Sequence, residues 1–149
     1  SGEEIKYYDR ERVYSMNIAL IADGGKKKLM QNFCIAYRGI LSKNELYATG
    51  TTGRLIEEVT NLNIHKYLAG HLGGTQQIGA QIEHNEIDLV IYLRDPANPR
   101  PHDADVNNVF TLCDMHNIPI ATNCATAEAL IHGLERGDLD WRDIVNPKN

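Results

Sequence analysis

Thr49-Gly50-Thr51-Thr52-Gly53 sets hydroxyls and glycines side by side, directly after the apolar run Leu46-Tyr47-Ala48. Leu46 to Ala48 read as the end of a buried strand, Thr49 to Gly53 as a tight turn, and Arg54 to Thr60 as the start of a helix. Such a turn gathers backbone N–H groups, threonine hydroxyls and a helix N-terminus at one point, where donors and dipole together favour an anion such as phosphate. A plain strand-to-helix turn has the same spelling, so this segment alone leaves both readings open. Lys26, Lys27 and Lys28 follow another apolar run and could bring a cation to that anion. They equally suit a solvated helix start, although cations at a helix N-terminus oppose the dipole when no anion is near. Asp95 ends a third apolar run ahead of Pro96, a position that serves a turn as well as a site. Pro101-His102-Asp103-Ala104-Asp105 offers an imidazole and carboxylates in one stretch. His102 suits a general acid or a ligand contact, whereas Asp103 reads better as the cap of the helix that follows. His65, His84, His116 and His132 lie in strands, helices or turns and read as structural.

The elements that must position these residues alternate along the chain. Asn17 to Ala22 is apolar after Asn17, as expected of a parallel strand buried on both faces. Asp23-Gly24-Gly25 ends it, and Lys26 to Tyr37 read as a helix with Leu29, Met30, Phe33, Cys34 and Tyr37 at helical spacing. Leu55, Ile56 and Val59 mark one face of the second helix. Ile64 to Leu68 is a third strand, and Thr75 is placed to cap a helix running to about His84. Ile87 to Leu93 is the fourth strand, Val106 to His116 a helix, Ile118 to Ala121 the fifth strand, and Ala125 to Arg136 the last clear helix. The tail from Asp138 reads as polar around Trp141 and Ile144. Strands that alternate with helices imply an α/β fold in three layers, α/β/α, around an open five-stranded parallel sheet. In such Rossmann-type sheets ligands bind outside the carboxyl ends of the strands. The loops that matter are therefore 23–28, 49–53, 69–75, 94–105 and 122–124.

Composition narrows the function classes. The 149 residues suffice for one domain with a sizeable core. A net charge of −5 argues against a broad surface for a nucleic-acid polymer. No apolar run approaches the ~20 residues that cross a bilayer. The charged start of the chain does not read as a secretory signal. Cys34, Cys113 and Cys124 are widely spaced in apolar contexts, which fits buried thiols in a reducing cytoplasm better than a zinc site. Ser1-Gly2 reads as a cleavage scar, residues 1–15 as an extension or linker, and residues 16–149 as the domain.

Taken together, Asn17 to Ala22, Leu46 to Gly53, Leu72-Gly73-Gly74 with Gln76 to Ala80, Arg94-Asp95-Pro96, Pro101-His102-Asp103 and Asn117 to Asn123 make the chain resemble the methylglyoxal synthases over nearly its whole length. The resemblance implies conversion of dihydroxyacetone phosphate to methylglyoxal and inorganic phosphate, with no metal or organic cofactor. A carboxylate base removes a carbon-bound proton, an ene-diolate phosphate forms, and phosphate leaves. It also implies a homo-oligomer, commonly a hexamer, and kinship with ligand-binding domains of carbamoyl-phosphate synthetase. Carried onto this chain, Lys27, Thr49, Thr51, Thr52 and Gly70 would hold the phosphate. Asp95, His102 and Asp105 would surround the reacting carbons.

The departures from the family pattern fall in the same loops. Where the family usually has Ala-His-Asp after the first strand, this chain has Ala22-Asp23-Gly24. Where the family has Ser-Gly-Pro-Leu-Gly-Gly-Asp, it has Ala69-Gly70-His71-Leu72-Gly73-Gly74-Thr75. The usual base is thus Thr75, whose hydroxyl is far too weak a base for a carbon-bound proton near pH 7. His71 and Thr75 change the room and charge available to a ligand, and Asp23 is the carboxylate that could substitute as base. Three functions follow as expectations. The first is a binding module for a small phosphorylated metabolite or nucleotide, with lost or altered catalysis. The second is an active methylglyoxal synthase using Asp23, Asp95 or Asp105 as the base, and the third an oligomeric scaffold with an empty pocket.

Overall fold

The computed structural model describes residues 15–98 and 103–147. β1 (Asn17–Ala22), β2 (Glu45–Ala48), β3 (Ile64–Lys66), β4 (Leu89–Leu93) and β5 (Ile120–Ala121) form one sheet in the order β3-β2-β1-β4-β5, with every neighbouring pair parallel. Between them run α1 (Lys27–Ala36, entered through a 3-10 turn at Gly24–Lys26), α2 (Arg38–Leu41), α3 (Gly50–Thr60), α4 (Gly74–Glu83) and α5 (Asp103–Met115). α6 (Cys124–Arg136) and α7 (Trp141–Val145) complete the chain. The fold is the expected α/β sheet covered on two faces.

The period-two geometry of a strand explains the layers. Ile18, Leu20, Leu89, Ile91 and Leu93 point to one face, where they pack with Met30 and Phe33 of α1, Ile56 of α3 and Ile131 of α6. Ala19, Ile21, Val90 and Tyr92 point to the other, where they meet Ile78 and Ile82 of α4 and Val106 and Val109 of α5. Each central strand is apolar on both faces because each face is roofed by helices.

Several sequence expectations are corrected. The segment 49–53 is not a turn ahead of the helix: α3 already begins at Gly50, so Gly50 to Gly53 form its first turn with Thr49 as the N-cap residue. Thr75 does not cap α4, which starts at Gly74 with Gly73 as its N-cap residue in the left-handed region (φ 110°). Leu29 and Val59 are exposed, at 41% and 43%, rather than part of the core. The tail is not merely polar. It folds into α7, and Arg142 on that helix is almost fully buried. The Arg142 Nε lies 3.4 Å from Oδ1 of the equally buried Asp88, while Nη1 donates to the Asn117 carbonyl at 2.7 Å. Asp88 Oδ2 also accepts from the Asn17 N–H at 2.8 Å. The tail is therefore bolted to the amino-terminal edge of the sheet.

Candidate functional site

β1 is flanked by β2 on one side and β4 on the other, so the connections leaving β1 and β4 diverge. A crevice at the carboxyl end of the sheet is the consequence. It holds a cleft of about 260 Å³, whose walls are the end of β1 with Asp23 and Gly24, Lys27 of α1, Thr49 and Thr51 at the start of α3, the stretch Ala69 to His71, Thr75 of α4, and Tyr92 of β4.

One half of the cleft is built by α3 and α1. Thr49 is buried and extended (φ −63°, ψ 150°), as an N-cap residue should be. Its hydroxyl makes no capping bond to the helix, and the residue lines the cleft. The Lys27 Nζ donates to the Ala22 carbonyl and to the Thr52 hydroxyl, both at 2.9 Å. Thr52 is thus behind the wall and steadies the lysine. Two close approaches fix the loop after β3 against both helices. A Cβ on Gly50 would lie 2.7 Å from the Tyr67 carbonyl, and one on Gly74 only 1.9 Å from the Leu68 carbonyl, so neither position tolerates a side chain. Lys66 adds an ion pair to Glu57 of α3 at 2.7 Å, and that hydrogen bond holds the Glu57 carboxyl below its ordinary range.

The acidic half centres on Asp23. Its Oδ1 accepts from the Tyr92 hydroxyl and its Oδ2 from the Asp95 N–H, both at 2.8 Å. Its own N–H donates to the Leu93 carbonyl at 3.0 Å. Asp23 therefore ties the end of β1 to the end of β4 across the crevice.

The expected site residues separate into groups. Asp23, Lys27, Thr49, Thr51, Gly70, His71 and Thr75 all line the one cleft. Thr75 is almost fully buried there, and His71 lies on a 3-10 turn (Gly70–Leu72) as an exposed residue at the rim. Asp95 is adjacent but not on the wall: its carboxylate accepts from the Ala97 N–H at 3.2 Å and from Asn98 Nδ2 at 2.8 Å, closing a local turn. Asp105, on the first turns of α5, accepts from Gln76 Nε2 at 3.3 Å and is also off the wall. His102 lies outside the described residues. Tyr92 was missed by sequence reasoning, and its apolar neighbours explain why: within the buried run Leu89 to Leu93 a tyrosine reads as one more core residue.

None of the three cysteines lines the cleft. Burial pushes the Cys34 and Cys113 thiols up to about 12, and Cys124 is raised chiefly by burial as well. A thiol held protonated is a poor nucleophile and metal ligand. Among the described residues, no group of His, Cys, Asp and Glu is arranged to hold a metal ion. Nor is any helix there long and apolar enough to cross a membrane.

Comparison with known proteins bears on this geometry. Residues 30–122 match the profile of the MGS-like domain. A methylglyoxal synthase of Caldicellulosiruptor saccharolyticus is 65% identical over 133 residues, which span 89% of this chain and 94% of that protein. This chain belongs to the methylglyoxal synthase family. Another relative, the methylglyoxal synthase of Alkaliphilus metalliredigens, is 56% identical over 89% of this chain and 99% of its own length. The crystal structure of methylglyoxal synthase from Elizabethkingia anophelis superposes with a TM-score of 0.75 at 40% identity, covering 78% of this chain and 77% of that one. A methylglyoxal synthase fold thus carries, in this chain, a threonine at position 75 and an aspartate at position 23 inside its cleft.

Proposed function

We propose that the cleft binds a small phosphomonoester of the dihydroxyacetone phosphate class, and that its proton-abstraction step is lost or strongly slowed. The observation that carries the proposal is the arrangement of Lys27, Thr49 and Thr51 at the N-terminus of α3, with Thr75 in the same wall. The first three supply what a phosphate dianion needs: an ammonium, hydroxyl donors and a helix N-terminus. Gly70 lets the opposing loop approach without a side chain. Thr75 stands where the family resemblance puts the carboxylate base. A hydroxyl there can donate to a bound oxygen but cannot accept a proton from carbon, and removal of a positioned base lowers a rate by ~10²–10⁴. The proposed role is recognition, as a sensor or sequestering module in an oligomer.

One observation favours a second reading, an active methylglyoxal synthase: Asp23 is a carboxylate in the same cleft. In that reading Asp23 takes the proton from the hydroxymethyl carbon, the ene-diolate forms, and the phosphate departs toward Lys27. Against it stands orientation. Both Asp23 oxygens already accept bonds, from the Tyr92 hydroxyl of β4 and from the Asp95 N–H just beyond it, and catalysis is sensitive to misplacement on the scale of 1 Å.

Titration calorimetry with dihydroxyacetone phosphate, followed by assay of the same mixture for methylglyoxal, separates the two. Binding without product supports recognition. Product at ordinary enzyme rates, abolished in Asp23→Asn, would establish the second reading instead.

A further inference from the structure

We propose that Asp23 is the specificity-determining residue of the cleft. It selects a phosphomonoester whose other end carries a hydrogen-bond donor, an ammonium before a hydroxyl, and it rejects one that ends in a carboxylate. This rests on the phosphomonoester reading above and deepens it.

The inference starts from what shares the wall. Lys27, Thr49 and Thr51 line the same cleft as Asp23 and Tyr92. A ligand gripped by its phosphate at the first three presents the rest of its atoms to the others. Because Asp23 lines the one cleft of about 260 Å³ with those three, it meets the functional group at the ligand's other end.

Asp23 is also fixed before the ligand arrives. The Tyr92 hydroxyl holds Oδ1 at 2.8 Å and the Asp95 N–H holds Oδ2 at 2.8 Å. The backbone bond from the Asp23 N–H to the Leu93 carbonyl fixes the Cα beneath them. All of these ties run to β4 and the residue two beyond it, so the carboxylate cannot swing away from an incoming group. A carboxylate oxygen accepts more than one hydrogen bond, so each retains capacity for the ligand. Bonds to an ionised acceptor are stronger than neutral ones, and an ammonium adds charge attraction. A second anion on the ligand would meet a like charge that has no freedom to move.

The test is titration calorimetry on the full chain with inorganic phosphate, phosphoethanolamine, glycerol 3-phosphate, propyl phosphate and phosphoglycolate, at one pH and ionic strength. We expect phosphoethanolamine to bind roughly tenfold or more tightly than propyl phosphate, which has no donor, with glycerol 3-phosphate between them and phosphoglycolate weakest. In Asp23→Asn the ammonium advantage should disappear, and phosphoglycolate should gain roughly tenfold. Tyr92→Phe keeps the charge but removes one tie, and should narrow the series part of the way. It also decides the matter if Asp23→Asn does not fold. Equal affinities in the unaltered protein, or an unchanged order in both variants, would overturn the assignment of Asp23 alone. Failure of inorganic phosphate and every ester to bind would overturn the phosphomonoester reading and this inference with it.

Discussion

At the scale of single residues, the Lys27 ammonium is held in place by the Ala22 carbonyl and the Thr52 hydroxyl, and it is the one lysine or arginine on the cleft wall among the described residues. Lys27→Met keeps the stem and removes the charge. It should weaken inorganic phosphate binding by roughly tenfold or more, the worth of a charge-assisted hydrogen bond, as read by calorimetry. The thiols give a prediction about pH. Burial holds the Cys34 and Cys113 protons up to about 12, while an unfolded cysteine loses its proton near ~8.5. Above that value the unfolded chain binds fewer protons than the folded one, so stability falls as pH rises. Melting temperature should therefore decline from about pH 8.5 to 10, and the slope should flatten in a Cys34→Ala, Cys113→Ala double variant. Much at this scale was legible from the chain. Lys27, Thr49, Thr51, Gly70 and Thr75 all fall in the segments after strands that strand ends alone single out, although Lys27, Thr51 and Thr75 prove to lie in first helical turns. The Asp23–Tyr92 bond was not legible, because it joins residues far apart in sequence and one of them sits inside an apolar run.

At the scale of elements, the start of α3 and the start of α4 are pressed against one loop, residues 67–69. The contact of Gly74 with the Leu68 carbonyl is the tighter one, at 1.9 Å for a substituted Cβ. Backbone cannot yield as a flexible side chain does. Gly74→Ala should cost about 2–3 kcal/mol, read as a lower urea midpoint, and should weaken phosphate binding by shifting Thr75 and Gly70. α7 makes a separate prediction, because it lies at the opposite edge of the sheet. Arg142→Ala leaves Asp88 buried without its guanidinium, a loss of about 3–5 kcal/mol that denaturant unfolding will measure. Phosphate affinity in that variant should be unchanged under folding conditions. Boundaries were legible wherever the apolar period was long, as in α6, where Asn123 caps the helix by accepting from the Thr126 N–H at 3.1 Å. They were missed at α3 and α4. There, glycines occupy the first helical turn because neighbouring backbone crowds them, and the same glycines spell a turn when read in isolation. α7 was missed because it is short and its anchor is a lone arginine, whose burial depends on partners near β1, β4 and β5.

At the scale of the whole molecule, the sheet order places β1 between β2 and β4, and the cleft lies where their connections part. The fold class was legible because parallel strands with two covered faces need uninterrupted apolar runs, and Asn17 to Ala22 and Leu89 to Leu93 have them. The function is less so, since membership in the methylglyoxal synthase family fixes the scaffold while the chemistry depends on a few wall positions. Under the proposed function the decisive position is Thr75. The most direct measurement is methylglyoxal production from dihydroxyacetone phosphate by the unaltered chain beside Thr75→Asp, with phosphate binding measured on both. We expect rates for the unaltered chain at least ~10²-fold below those of Thr75→Asp, with phosphate bound by each. Full turnover by the unaltered chain, with no gain on adding the carboxylate, would overturn the reading of lost proton abstraction.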